Sequence, residues 1–429
     1  MSRALPQADA VPLISKSSPR PIGIFFAVLA GSLMTVQIPL GGNLFATEVV
    51  LLGYALLGLH SWLGSPGQQS ILVLRAAGLA CLMLISYTLS DLLTQNTWDN
   101  QLRGLARCFF LVSDTLGLWH LVRRDRRLIS TLLVSLAVAQ IAQTLLTEEH
   151  KMFVAEWKFG YALPVTILVL VILPALESRA QPRLTMAGLL AASVLHVYLD
   201  YRSLSGVCLV VWSIMVYRSL RSAARTTARP VLAGVLTAAA LGLASTAYFA
   251  SREDFSTRRE AANAARLAGI SAALDAITSS PVLGHGSWAY DGTFGLSFDD
   301  EYTRITGKRY VDVAGYQEFG AHSQLLQGWY EGGALAGLFF GFLLIQLLRL
   351  LFFAATNAPD SAHLPLFVLI MTLAVWHLLF SPFAGEHRFW LATATILMGL
   401  MQDSKATVER RRLFQRWAAF ARREGGFSA

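Results

Sequence analysis

Three side chains lie near the ends of apolar segments and together could bind an anion and accept a proton. His322 precedes an apolar segment, and its imidazole titrates near neutral pH, which suits a general base. Arg202 separates two apolar segments, and Arg266 lies on a helix candidate; guanidinium groups hold phosphate oxygens in a bidentate manner. Simpler interpretations stay open: Arg202 snorkels, Arg266 contacts lipid headgroups, and His322 is structural.

Four further charged residues are candidate supporting groups: Asp200, Arg259, Glu331 and Arg388. Asp200 lies two positions before Arg202 and can orient its guanidinium or simply neutralise it. Arg259 and Arg266 are seven residues apart, which places them two turns along one helix stripe. Glu331 begins the apolar segment after His322, where its charge can stabilise a helix N-terminus.

The composition indicates that the elements positioning these residues lie in a membrane. Of 429 residues, 54% are hydrophobic and only 14% are charged, with a mean hydropathy of +0.50; soluble domains carry roughly 25% charged residues. The net charge of +8 would suggest nucleic acid in a soluble protein. Here the basic residues cluster between apolar segments, as they do where they set membrane orientation, so no nucleic-acid partner is expected.

Apolar segments of about 20 residues recur along the chain, each long enough to cross a bilayer as a helix. They predict an all-α integral membrane protein with about twelve transmembrane helices and one large outer loop that contains short helices. The predicted spans are 22–40, 45–62, 70–90, 102–122, 128–146, 160–176, 185–200, 203–218, 231–250, 333–353, 364–380 and 388–402. Most of the 35 lysines and arginines fall on one side, which places both termini in the cytoplasm.

The predicted organisation has five parts, and the longest polar one is the best candidate for function. The parts are a cytoplasmic tail (1–20), spans one to nine (21–250), an outer catalytic loop (251–332), spans ten to twelve (333–402) and a basic cytoplasmic tail (403–429). A loop of this length is typically functional or disordered. This one is rich in aromatic residues, so it can bury a small core. From Lys405 the tail is predicted to be a basic amphipathic helix lying on anionic lipid, and the alternative that its charges only set the membrane orientation stays open.

The first part of the outer loop predicts an amphipathic helix on the membrane surface. Between residues 258 and 280, Leu267, Ile270, Leu274 and Ile277 recur at spacings of three and four, which is one helical face. Pro281 should end the helix. The three cysteines of the chain lie inside apolar segments and have neither metal-ligand spacing nor a disulfide pattern.

Two segments of the loop together resemble the signature of the O-antigen ligase and O-antigen polymerase superfamily. Residues 281–286 read P-V-L-G-H-G, and residues 321–333 read A-H-S-Q-L-L-Q-G-W-Y-E-G-G. The superfamily pattern is roughly P-x-x-G-x-G followed by H-[NS]-x-x-L-x-x-x-x-E-x-G. Arg266 and Arg202 also match its arginines. The motif covers about 70 residues, and the predicted topology agrees over the whole chain. Two positions depart from the commoner residues of the superfamily. Tyr201 precedes Arg202 where Ser or Thr is more frequent, and Ser323 follows His322 where Asn is common.

This resemblance implies glycosyl transfer at the periplasmic face of a Gram-negative inner membrane. The donor would be a glycan on undecaprenyl pyrophosphate, and the acceptor would be a sugar hydroxyl of the lipid A–core, which completes lipopolysaccharide. Arg202 and Arg266 would bind the pyrophosphate, and His322 would deprotonate the acceptor hydroxyl. The reaction would invert the anomeric carbon and would need neither a metal nor another cofactor.

Other functions stay open within and outside that superfamily. An O-antigen polymerase and a protein O-oligosaccharyltransferase would use the same three charged residues. A secondary transporter belongs to another class, and transporters usually show internal repeats and ionisable groups near the bilayer midplane. The chain shows no repeat, and its predicted spans are poor in Asp, Glu and Lys, which favours an enzyme at the membrane interface.

Overall fold

The computed structural model describes most of the chain and is predominantly helical. It describes residues 21–39, 43–64, 70–147, 156–177, 182–223, 253–288, 293–310, 321–383 and 385–424. The predicted span 231–250 lies outside the described residues, as do the N-terminal tail and three stretches of the predicted outer loop (251–252, 289–292 and 311–320). The count of twelve spans therefore stays a prediction.

Thirteen α-helices follow one another along the described residues. They are α1 (Pro21–Ser32), α2 (Ala46–Gly64), α3 (Ile71–Leu93), α4 (Trp98–Val122), α5 (Arg127–Leu146), α6 (Ala162–Leu176), α7 (Arg183–Tyr198), α8 (Arg202–Ala223), α9 (Glu253–Ser279), α10 (Thr293–Thr306), α11 (Gln324–Thr356), α12 (Leu364–Phe380) and α13 (Gly385–Glu424). A π-helical turn, Trp157–Tyr161, leads into α6. Two short antiparallel strands, β1 (Gln37–Pro39) and β2 (Asn43–Phe45), connect α1 to α2.

Length and apolar composition make this an α-helical membrane protein. Among the described residues, six helical stretches are long and apolar enough to cross a bilayer: Ile71–Leu93, Trp98–Val122, Arg127–Leu146, Trp157–Leu176, Arg202–Arg221 and Gln324–Thr356. Four shorter apolar stretches accompany them: Pro21–Thr35, Ala46–Leu59, Arg183–Tyr198 and Leu364–Phe380. The all-helical membrane class predicted from composition is therefore confirmed.

The centre of the bundle is α12, which packs against α11, α8 and α13. Every residue from Leu364 to Ala374 is buried, so the helix is enclosed on all sides. A helix that is apolar all round is expected at such a position, because no face of it suits water. On the other side of α11, α3 and α4 pack against each other and against α13. The buried contacts around the start of α11, described below, are made where α3, α4, α11 and the α12–α13 turn meet.

The ends of the chain differ from the predicted spans. The first span was predicted over 22–40, but α1 ends at Ser32, and after one 3₁₀ turn the chain enters β1. Pro39 cannot continue a helix because it lacks a backbone N–H, and here it ends the first strand. At the C-terminus, α13 continues as one helix from Gly385 to Glu424, well past residue 402, where the last span was predicted to end.

The helices α9 and α10 form a small second core of their own. The buried stripe of α9 consists mainly of alanines (Ala264, Ala265, Ala268, Ala272, Ala273 and Ala276). Aromatic rings from α10, including Phe294 and Phe298, pack in the same core. The predicted apolar face is wrong in part: Leu267 and Leu274 are 57% and 49% exposed. Small side chains let a second helix approach closely, and a search for large apolar residues overlooks that kind of face.

Candidate functional site

The two segments of the sequence motif are hydrogen-bonded to each other. The backbone N–H groups of His285 and Gly286 donate to the carbonyl oxygens of Tyr330 (2.8 Å) and Glu331 (2.9 Å). The N–H of Ala334 donates back to the carbonyl of Val282 (3.0 Å). The first segment thus lies along a break in α11 and satisfies backbone groups that the break leaves without helical partners.

The break in α11 occurs at Gly333, whose backbone angles of φ 72° and ψ −164° are not helical. A Cβ atom at Gly333 would overlap the carbonyl oxygen of Val282. Gly284, in the facing segment, has φ 77°, and a Cβ there would overlap the carbonyl of Glu331. Only glycine tolerates both the left-handed backbone and the close approach. The break separates the short helix 324–332 from the long apolar helix 334–356.

His322 lies immediately before the short helix 324–332. Its φ of 45° is left-handed, which is uncommon for a residue with a side chain. The next residue, Ser323, is the N-cap: its Oγ accepts a hydrogen bond from the N–H of Leu326 (3.3 Å). The same Oγ donates to the carbonyl of Leu378 near the end of α12 (3.0 Å).

Burial and the positive charge of Arg266 both lower the pKa of His322 below its usual value. The imidazole is therefore neutral at pH 7, with a ring nitrogen able to accept a proton. The structure thus brings together two of the three residues singled out in the sequence. Arg266 is exposed on α9, so its guanidinium is accessible from outside the core. Arg259 lies two turns earlier in the same helix, and its side chain is outside the described residues.

Arg202 is the first residue of α8, and its guanidinium is paired with Asp200. The distance between Arg202 Nη2 and Asp200 Oδ1 is 3.3 Å, and the two side chains are 40% and 34% exposed. Asp200 has a left-handed φ of 55°, so the α7–α8 turn is tight. Asp200 and Arg202 thus form an ion pair that is partly open to solvent.

Tyr201, the residue before Arg202, shows which end of the bundle Arg202 occupies. Burial first, and then the negative charge of Glu386, raise the pKa of Tyr201 to about 12. Glu386 lies at the α12–α13 turn, and near that turn Leu378 accepts the hydrogen bond from Ser323. Arg202, His322 and Arg266 therefore belong to one end of the bundle, which we call the polar end.

Glu331 was predicted to begin a helix, and this prediction is wrong. The residue lies buried near the end of the short helix 324–332. Its carboxylate accepts hydrogen bonds from Tyr87 Oη (3.0 Å), Gln327 Nε2 (2.9 Å) and Arg107 Nη2. The side chains of Arg107 and Glu331 are 1% and 0% exposed. The reasoning from sequence missed Arg107, although an arginine inside a predicted span (102–122) is a strong sign of a specific partner.

Arg388 is held in a second buried ion pair. Its Nε and Nη2 donate to the two carboxylate oxygens of Glu48, at 2.7 and 2.9 Å. The side chains are 8% and 1% exposed. This bidentate pair joins the start of α2 to the start of α13. Arg388 is a candidate supporting group in the sequence, and its guanidinium is directed into the bundle, where it binds the chain's own carboxylate.

Within the described residues, no three His, Cys, Asp or Glu side chains are grouped as a metal site would require. Independence of metal stays a prediction, because it concerns the reaction. The cysteines are free, and Cys108 and Cys208 are buried.

The fold and the site define a class: an α-helical membrane protein whose bundle carries a histidine and arginines at one end. Comparison with known proteins adds no family to that class. No model of a protein family matches the chain, and no curated protein matches it.

Proposed function

We propose that this protein is a glycosyltransferase with the activity of an O-antigen ligase. It transfers a glycan from undecaprenyl pyrophosphate to a sugar hydroxyl of the lipid A–core, at the periplasmic face of a Gram-negative inner membrane. The observation that carries the proposal is the bonding of residues 282–286 to residues 330–334, at the end of the short helix that His322 precedes. The resemblance to the superfamily rests on these same two segments.

The chemistry follows from the charge states of the three residues. Neutral His322 takes the proton of the acceptor hydroxyl as its oxygen attacks the anomeric carbon of the donor sugar. The bond between that carbon and the pyrophosphate oxygen breaks, and the electron pair leaves with undecaprenyl pyrophosphate. Arg266 and Arg202 stabilise the negative charge that develops on the leaving oxygen. A single displacement of this kind inverts the anomeric carbon.

The topology of the resemblance completes the proposal. Twelve spans with both termini in the cytoplasm would place the polar end of the bundle in the periplasm. There it would meet the lipid-linked donor and the acceptor within one membrane leaflet. The exposed surfaces of Arg202 and Arg266 are consistent with an anionic ligand that approaches from outside the core.

Reconstitution with defined substrates tests this proposal. Purified protein in liposomes receives undecaprenyl-pyrophosphate glycan and lipid A–core in the presence of EDTA. We expect lipopolysaccharide of higher mass from the wild type. The substitutions His322→Ala, Arg266→Ala and Arg202→Ala should each lower the rate by about 10²-fold or more, as removal of one transition-state group commonly does.

The matched control is Arg304→Ala, on the neighbouring helix α10. Arg304 is 72% exposed and pairs locally with Glu301, so its loss should leave the rate unchanged. Extension of the donor glycan without modification of lipid A–core would instead indicate a polymerase. Glycan attached to an added acceptor protein would indicate a protein O-oligosaccharyltransferase. Full activity of His322→Ala would overturn the assigned mechanism.

A further inference from the structure

We infer that Arg107 and Glu331 are positioning residues that hold His322 in place through the short helix 324–332. This inference rests on the proposed function, because it assigns a role in the same reaction. Neither residue needs to contact a substrate. Their effect is transmitted through the backbone and the side chains that hold both ends of one short helix.

The short helix 324–332 needs such a fastening because the break at Gly333 uncouples it from the long helix 334–356. Its last carbonyl groups are bound by other elements. Ser86 Oγ on α3 donates to the carbonyl of Gly332 (2.5 Å), and Ser90 Oγ donates to that of Glu331 (2.9 Å). The position of the helix end is therefore set by α3 and by the 281–286 segment.

Side chains fasten the same helix to α4 and to the α12–α13 turn. Glu331 binds Arg107, and Gln327 Nε2 donates to the other carboxylate oxygen of Glu331. The Oε1 of Gln327 accepts from the N–H of Phe383 (2.7 Å), and Arg107 Nη1 donates to the carbonyl of Phe383 (3.1 Å). Arg107, Gln327, Glu331 and Phe383 thus form a closed ring of hydrogen bonds.

Aromatic side chains enclose the guanidinium of Arg107 on several sides. Its Cζ lies 5.0 Å from the ring centroids of Trp288 and Phe383 and 5.4 Å from that of Tyr87. Such contacts favour a cation and restrict its movement. Trp288 lies two residues after the 281–286 segment, so the enclosure ties this part of the chain to the same pair.

The strain at His322 makes its position depend on these contacts. A residue with a side chain keeps a left-handed backbone only where its surroundings hold it there. His322 lies between Ala321, buried in the α9–α10 core, and Ser323, whose Oγ binds Leu378. If the short helix shifts, the imidazole shifts with it, and a displacement of about 1 Å can lower a rate by about 10²-fold.

The test compares Glu331→Gln with Glu48→Gln in the reconstituted assay. Both substitutions remove the acid of a buried ion pair, so both should lower thermal stability. Only Glu331→Gln should lower kcat per folded molecule, by about 10²-fold, with a much smaller change in the KM for the donor. Arg107→Lys keeps the charge and should retain more activity than Arg107→Met.

A readout independent of activity separates this inference from the proposed function. The rate at which diethyl pyrocarbonate modifies His322, followed by peptide mass spectrometry, should rise several-fold in Glu331→Gln and not in Glu48→Gln. His363, which contacts Ser130 elsewhere in the bundle, serves as the internal reference. An unchanged modification rate together with an unchanged kcat would overturn the positioning role. A wild type without transferase activity would overturn the proposed function, while the modification rates would still test the positioning.

Discussion

At the scale of single residues, the proposed general base His322 has a positive charge, that of Arg266, acting on its imidazole. The positive charge of Arg266 helps to keep the imidazole neutral, after the larger effect of burial. A neutral imidazole is the form that accepts a proton, so the arginine proposed to bind pyrophosphate would also set the protonation state of the base. One side chain would thus serve both the donor and the acceptor half of the reaction.

This coupling predicts the direction of a pH shift. Arg266→Gln removes a positive charge that lowers the pKa of His322, so that pKa should rise. Protonated His322 cannot act as a base, and activity falls as pH drops through its pKa. The acid limb of the kcat/KM profile should therefore move to higher pH, and NMR titration of the imidazole should show the same displacement. Arg304→Gln should leave both unchanged, and a limb that moves to lower pH would contradict the coupling.

Individual site residues could be predicted from sequence where they belong to a motif. His322, Arg266 and Glu331 fall in or beside two short segments with recognisable spacing. Arg107 could be flagged only as a charge inside an apolar segment. Its partner is 224 positions away, and no local pattern links residues so distant in sequence. The same holds for Arg388 and Glu48, which are 340 positions apart.

At the scale of elements, the break in α11 predicts opposite results for two glycines of one helix. Gly333→Ala should destabilise the protein by about 1–3 kcal/mol or more, because its left-handed backbone is strained with any side chain and a Cβ would overlap Val282. Gly341→Ala, where a Cβ would meet no neighbour, should be neutral or stabilising by about 0.5–1 kcal/mol.

Thermal unfolding in detergent measures the stability of both variants, and the transferase assay measures their activity. Gly333→Ala should also lose activity, since the short helix would be pushed from its place against residues 282–286. Equal stability of the two alanine variants would show that the break is not required by the fold.

Helices with long apolar runs could be placed from sequence to within a few residues, as α5 and α12 show. The predictions failed where local pattern competes with packing. The apolar face of α9 was assigned to leucines, yet alanines are buried there because α10 lies close against them. The start of α11 was placed near Glu331, because Gln324, Gln327 and Glu331 interrupt the short helix and hide it from a search for apolar runs.

At the scale of the whole molecule, the bundle contains one buried acid that its neighbours do not satisfy. Asp114 on α4 is fully buried, and neither carboxylate oxygen has a hydrogen-bond partner in the described part of the chain. The charged side chains that act on Asp114 are those of Glu48 and Arg388. That arginine already binds Glu48 through two nitrogens, so the second acid adds a polar group without a hydrogen bond to the interior.

The two acids should therefore respond in opposite ways to the loss of a carboxylate. Asp114→Asn should keep or raise the thermal midpoint, because a neutral amide of the same shape is less costly to bury. Glu48→Gln should lower stability by about 3–5 kcal/mol, because it leaves Arg388 without its counter-charge. A marked loss of stability in Asp114→Asn would contradict this, and would show that its carboxylate has a role in the interior.

The unbroken helix α13 has a mechanical consequence. Its 40 residues extend about 60 Å at 1.5 Å per residue, roughly twice the thickness of the hydrocarbon layer. Its first turn is anchored by Arg388, and every residue from Phe389 to Met401 is buried, so the bundle holds about the first four turns as one rigid unit. A tilt of this unit by about 10° would move the far end of the rod by about 10 Å. Displacements at the polar end and at the C-terminal end of α13 are thereby geometrically linked along one helix.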